Sequence, residues 1–206
     1  MNIETIHIHS GEKKVMLLRN HDADMEVFIE EGASLKFFDS VNIISKEDEQ
    51  GGTSSVSLTF HLMGPDAVLF MRGRVIGHKD DKIRRNILVE HCAGGGKSDI
   101  YYKYVLDDEA EGDFTGKVYV ARDAQKTESI MLNRNLCLTK EAKMHSEPLL
   151  EIYADDVKCS HGSSIGMLDQ DALFYMQQRG IALAEARQLL IDAFIKEIQI
   201  PSPHNS

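Results

Sequence analysis

The sequence predicts a mainly β chain that ends in a small α-helical region. Three observations predict it: runs of strict apolar–polar alternation, turn residues at short intervals between them, and a change of period near residue 168. The clearest run is Ser55–Leu62. Val56, Leu58, Phe60 and Leu62 share one face of it, while Ser55, Ser57, Thr59 and His61 share the other, as in a half-buried strand. The same alternation marks Met25/Val27/Ile29, Ile100/Tyr102/Tyr104/Leu106 and Leu150/Ile152/Ala154. Turns are expected at Glu31-Gly32, Gln50-Gly51-Gly52, Gly64-Pro65-Asp66, Gly94-Gly95-Gly96 and Glu111-Gly112-Asp113. Many short strands with frequent turns fit a sandwich, a barrel or a solenoid, and no fixed repeat length chooses among them.

Beyond residue 168 the pattern becomes helical. Asp169 is placed to cap a helix that closes on Gly180. A second helix is expected over roughly Leu183 to Ile198. Ala186, Leu189, Leu190, Ala193 and Phe194 form one apolar stripe on it, and Ile191, Ile195 and Ile198 a second stripe beside the first. Both stripes are either buried within the chain, or one of them docks a partner protein. Residues 201–206 read as a frayed tail.

Composition excludes several classes. At 42% hydrophobic residues the 206-residue chain carries enough apolar material to fold. No uncharged apolar run approaches the ~20 residues that span a bilayer. A formal net charge of −10 disfavours binding to nucleic acid or to an anionic membrane surface. The opening Met1-Asn2-Ile3-Glu4-Thr5 lacks the regions of a signal peptide. Together with an odd, sparse set of cysteines (Cys92, Cys137 and Cys159) this points to the cytoplasm.

Few motifs carry chemistry. Gly94-Gly95-Gly96-Lys97-Ser98 resembles the end of a phosphate-binding loop, but the first glycine of that motif would fall on His91. A turn is the better reading, and nucleophile-elbow and zinc-protease motifs are absent. His7, His9 and His61 alternate with apolar residues and are expected on exposed strand faces. His21, His78, His91, His145 and His204 have surface or hydrogen-bonded structural roles by default. The densest polar cluster is Asp155-Asp156-Val157-Lys158-Cys159-Ser160-His161-Gly162. In an extended backbone Cys159 and His161 project to the same side, a thiol beside an imidazole. Two ligands do not complete a zinc site. The competing readings are a buried cysteine with a turn histidine and, last, a Cys/His nucleophilic pair.

The stretch Glu147–Gly162 strongly resembles the signature of the SufB/SufD family of iron–sulfur assembly proteins. Ile165-Gly166-Met167-Leu168-Asp169, Ala172-Leu173-Phe174-Tyr175, Arg179-Gly180-Ile181 and Glu185–Leu190 continue the match. Asp113–Val118, Ala124–Thr127 and Asn133–Leu136 extend it upstream. Specific likeness covers about residues 110 to 198, and His161-Gly162, where SufB-type chains tend to carry His-Glu, favours the SufD branch.

The resemblance implies a right-handed β-helix over residues 1–165 and a C-terminal helical region over 166–200. It implies a non-enzymatic subunit that pairs with a SufB-like protein and docks a SufC-like ATPase, with a homodimer possible in isolation. The family's interface histidine falls on His161, with Cys159 two positions before it. No cofactor would be held stably by the chain alone, only a transient iron–sulfur cluster whose remaining ligands come from SufB. Ile191, Phe194 and Ile195 are the expected ATPase contact. The chain has about half the usual length, which implies a fragment or a short form. Ala182 stands where a Ser or Thr cap is usual, a loss of about 1 kcal/mol. The alternative from another class is a β-solenoid that binds or cleaves carbohydrate, with a groove along several coils.

Overall fold

The structure, a computed structural model, describes residues 3–20, 23–43 and 51–201. Among them lie twelve strands and two helices. The strands are β1 (Ile3–Ile8), β2 (Lys13–Arg19), β3 (Asp24–Ile29), β4 (Ser34–Asn42), β5 (Thr53–Leu62) and β6 (Val68–Gly77). They continue as β7 (Lys82–His91), β8 (Lys97–Leu106), β9 (Glu111–Val120), β10 (Glu128–Cys137), β11 (Lys143–Ile152) and β12 (Lys158–Met167). The helices are α1 (Gln170–Gln178) and α2 (Leu183–Ile195). Odd strands form one parallel sheet in the order β1-β3-β5-β7-β9-β11, and even strands the other, β2-β4-β6-β8-β10-β12. Each coil gives one strand to each sheet, which makes a β-solenoid.

In-register pairing explains both the alternation and the missing repeat. Inward residues stack coil on coil: Leu58 beside Ile87, and Ile87 beside Gly116. These ladders merge into one apolar core running the length of the solenoid. Along the second sheet Lys13, Ser34, Val68, Lys97, Glu128 and Lys158 are successive partners, steps of 21, 34, 29, 31 and 30 residues. The turns absorb the variation, so what repeats is register and not chain length.

Two expectations on the β region are corrected. Glu111-Gly112-Asp113 is no turn but the start of β9, and the turn lies at Asp108, whose φ is 52°. Gly112 faces the core, where a Cβ would lie 2.7 Å from Met144 Sδ and 2.9 Å from Leu106. Ile152 is 38% exposed although Leu150 and Ala154 pack against the core. Gly73 is a second close approach: a Cβ there would overlap the ring of Tyr102. Gly73→Ala is therefore expected to destabilise the chain by about 1–3 kcal/mol, readable as a lower urea midpoint with unchanged slope.

The helices form as expected at their starts. Asp169 accepts hydrogen bonds from the N–H groups of Asp171 and Ala172, and Ala182 offers α2 no side-chain cap. The pair of bonds from Gly180 N to Gln177 O and from Ile181 N to Met176 O closes α1, with Gly180 at φ 83°. Both helices pack on the outer face of the second sheet, around Val105, Leu136, Leu168, Leu173 and Ala186. Lys103 Nζ pairs with Glu197 at 2.7 Å and donates to Phe194 O. Beyond α2, Pro201 O accepts from Arg19 Nη2 at 3.0 Å, which ties this residue of the expected tail to β2. The rest of that tail, with His204 and His21, lies outside the described residues.

Ile191, Phe194 and Ile195, expected to contact a partner, are half-buried and pack against the chain's own second core. The outward apolar residues of the helical region are Phe174 (62% exposed), Tyr175 (59%), Leu183 (48%) and Leu189 (46%). The sheet decides this, because Val105 and Leu136 offer an apolar bed to only one side of α2.

Candidate functional site

The last coil, β11 and β12, is one open end of the solenoid. Each of these strands has a hydrogen-bonded neighbour on one side only, among the described residues. In register with the buried Ser129, Met131, Asn133, Asn135 and Cys137 of β10 stand Cys159, His161, Ser163, Ile165 and Met167 of β12. Paired residues of parallel strands share a face, so these five line the inner side of the coil. With no further described coil stacked on them, His161 and Ser163 are exposed, Ile165 is 54% exposed and Met167 51%.

The geometry separates the two candidate ligands. Cys159 is half-buried, packs against the core, and burial pushes its thiol up, opposed by a hydrogen bond from the Ser129 backbone. His161, on the same strand face, projects into solvent. A groove of about 310 Å³ is lined by Glu128, Ile130, Lys158, Cys159 and Ser160. Asp155 and Asp156 belong to the ordinary turn reading: Asp156 O accepts from Lys126 N, and Asp156 N donates to Gln125 Oε1 at 2.9 Å. Among the described residues no three His, Cys, Asp or Glu side chains are arranged around one point. A metal or cluster at Cys159 and His161 thus needs ligands from elsewhere.

The sequence reading missed a polar chain behind this pair. Ser163 Oγ contacts Ser146 Oγ at 2.7 Å, Ser146 Oγ donates to Asn133 Oδ1 at 2.6 Å, and Asn135 Nδ2 donates to the same oxygen at 2.7 Å. It links β12, β11 and β10 across the last coil and sets their inner faces against one another. Asn133 and Asn135 alternate in β10, but polar residues at inward positions are visible only once register is known.

Other histidines divide as follows. His61 is held between Glu90 (2.7 Å) and Glu26 (3.0 Å) on the outer face. His91, by default a surface or bonded residue, is fully buried against Ser98 at 2.9 Å. A groove along several coils, the feature sought for a carbohydrate binder, is present too: about 340 Å³, with Thr53, Lys82, Glu111 and Lys143 in one row and Ser55, Arg84, Asp113 and His145 in the next. Its charges are spent on one another, Lys143 on Glu111 at 2.9 Å and Arg84 on Asp113 at 3.2 Å. No aromatic platform lines it.

Comparison with known proteins gives the chain its family. Residues 14–194 match the SufBD core domain of the SUF system of FeS cluster assembly. The chain belongs to the SufBD core family. It is 36% identical over 137 residues to the iron–sulfur cluster assembly protein SufD of Escherichia coli, covering 66% of this chain and 32% of that protein. It is 46% identical over 108 residues to a SufBD family protein of Synechocystis, covering 52% and 24%. Protein ABCI7, chloroplastic, of Arabidopsis thaliana is 36% identical over 138 residues, covering 66% and 29%. The match thus spans about a third or less of these SufBD relatives. None of the described helices is long and apolar enough to cross a membrane.

Proposed function

We propose that this SufBD core chain is a non-enzymatic, SufD-like subunit of an iron–sulfur cluster assembly complex. It pairs through the open last coil with a SufB-like protein and presents its helices to a SufC-like ATPase. The observation that carries the reading is the coil itself: Cys159 and His161 sit beside Ile152, Ile165 and Met167, apolar side chains left uncovered. The cluster is cargo at that junction. Cys159 and His161 supply two ligands and the partner the rest, and Cys159 must lose its proton to bind. Without such a partner, a second copy of the chain can cover the same coil.

ATP hydrolysis belongs to the partner, since Gly94–Gly96 form the turn into β8 and no helix follows Ser98. The ATPase contact combines the half-buried Ile191, Phe194 and Ile195 with the outward Phe174, Tyr175, Leu183 and Leu189. The three cysteines are free, which supports a reducing compartment such as the cytoplasm.

Co-expression with SufB-like and SufC-like proteins tests the reading. Ile165→Asp with Met167→Asp is expected to release the SufB-like partner on purification, weakening it at least tenfold by about 1.4 kcal/mol. His161→Ala is expected to lower cluster formation in cells with the complex intact. A chain that never co-purifies with either partner sinks the assembly role, and unchanged cluster formation leaves His161 a structural residue.

A further inference from the structure

At the opposite end of the solenoid from Cys159, we propose that His7 on β1 and His9, just past its end, form a chelating pair for a divalent first-row transition metal. The proposal is independent of the assembly role. His7 lies in β1 and His9 one residue past its end, both exposed with the buried Ile8 between them, so both imidazoles leave the same face of the chain. Their rings lie 14° from parallel with centroids 6.5 Å apart. A ring centre lies about 3 Å from a metal it ligates, given a bond of about 2.0–2.1 Å. Two rings sharing one ion are therefore about 5–6 Å apart, and exposed side chains need close by only about 1 Å.

The surroundings prepare both rings. Glu30 Oε1 lies 3.4 Å from His9 Nδ1, which favours the tautomer with hydrogen on Nδ1 and leaves the Nε2 lone pair to solvent. A carboxylate behind a ligating imidazole is the usual support of a metal-binding histidine. Glu30 is itself held: Ser10 N and Oγ donate to Oε2 at 3.0 and 3.2 Å, and these bonds keep the carboxyl below its usual range. The His7 ring stacks on Phe28 at 5.0 Å and 12°, which sets its plane. Glu12 accepts from His9 N at 2.9 Å and adds a second negative charge nearby. Among the described residues no group of three His, Cys, Asp or Glu side chains forms here either, so the pair makes an open site with water in the remaining positions, not a closed structural one. Its imidazoles suit zinc, copper, nickel or iron and discriminate against magnesium and calcium.

Equilibrium dialysis of the intact chain against Zn²⁺ alone tests the site. The expected result is one equivalent of zinc whose binding weakens at least tenfold in His7→Asn and in His9→Gln. Glu30→Gln is expected to weaken it about tenfold by freeing the His9 ring. Cys159→Ser with His161→Ala is expected to leave that equivalent in place. Each variant is checked by its unfolding midpoint, which substitution at exposed positions should hold constant. Absence of zinc binding overturns the proposal. So does an equivalent that survives the His7→Asn/His9→Gln double change, or one that disappears with Cys159 and His161.

Discussion

Arg85→Ala is expected to cost about 3–5 kcal/mol of stability, the penalty for leaving a buried charge without its counter-ion. Arg85 on β7 and Asp39 on β4 are both fully buried, with Nε donating to Asp39 Oδ2 at 2.7 Å. Tyr102 OH donates to the same oxygen at 3.0 Å, and Arg85 Nη1 donates to Ser54 Oγ at 3.1 Å. Burial alone would lower the guanidinium's pKa, but the attraction and hydrogen bond of Asp39, together with Tyr104 and Tyr102, outweigh it and hold the group firmly charged. The pair spans the lumen, tying one sheet to the other. A double change, Arg85→Met with Asp39→Leu, is expected to recover most of the loss, because it removes both charges instead of stranding one. Guanidinium unfolding of the two variants is the measurement. A single variant within 1 kcal/mol of the parent would mean that the pair is not bridging the sheets.

How much of this was legible in the sequence follows from what each signal depends on. Alternation at Ser55–Leu62 is local, and β5 buries Val56, Leu58, Phe60 and Leu62 as read. The Asp169 cap and the Gly180 stop are local too, and α1 obeys both. The two-sheet stacking was hidden because the coil step varies from 21 to 34 residues, so sequence spacing carries no period. Arg85 and Asp39 were missed for the same reason: they meet only through the fold. The face of α2 could not be read from α2, since it is apolar on more than one side and the outer face of β8 and β10 makes the choice. At the site, the proximity of Cys159 and His161 was local and visible. Their exposure was not, because it depends on whether another coil stacks on β12.

Acid is expected to destabilise the chain through His91. His91 Nε2 meets Ser98 Oγ at 2.9 Å, Ser98 Oγ meets Ser129 Oγ at 2.7 Å, and His91 Nδ1 is buried without a partner. Gly96 leaves room for it, since a Cβ there would come within 2.8 Å of Nδ1. Burial lowers the imidazole to about 4 from an ordinary 6.5. Between those values the unfolded chain takes up a proton that the folded chain refuses, so stability falls as pH falls. It is whole above pH 6.5, and about 3 kcal/mol is lost by the time pH reaches 4. His91→Gln keeps a polar partner for Ser98 and cannot take up the proton. Urea midpoints from pH 7 to 4 should therefore decline more steeply in the parent than in the variant. Parallel curves would place the buried imidazole's cost elsewhere, while divergence below pH 6.5 would locate acid sensitivity in the hydroxyl ladder that runs from His91 through Ser98 and Ser129 toward the coil of Cys159.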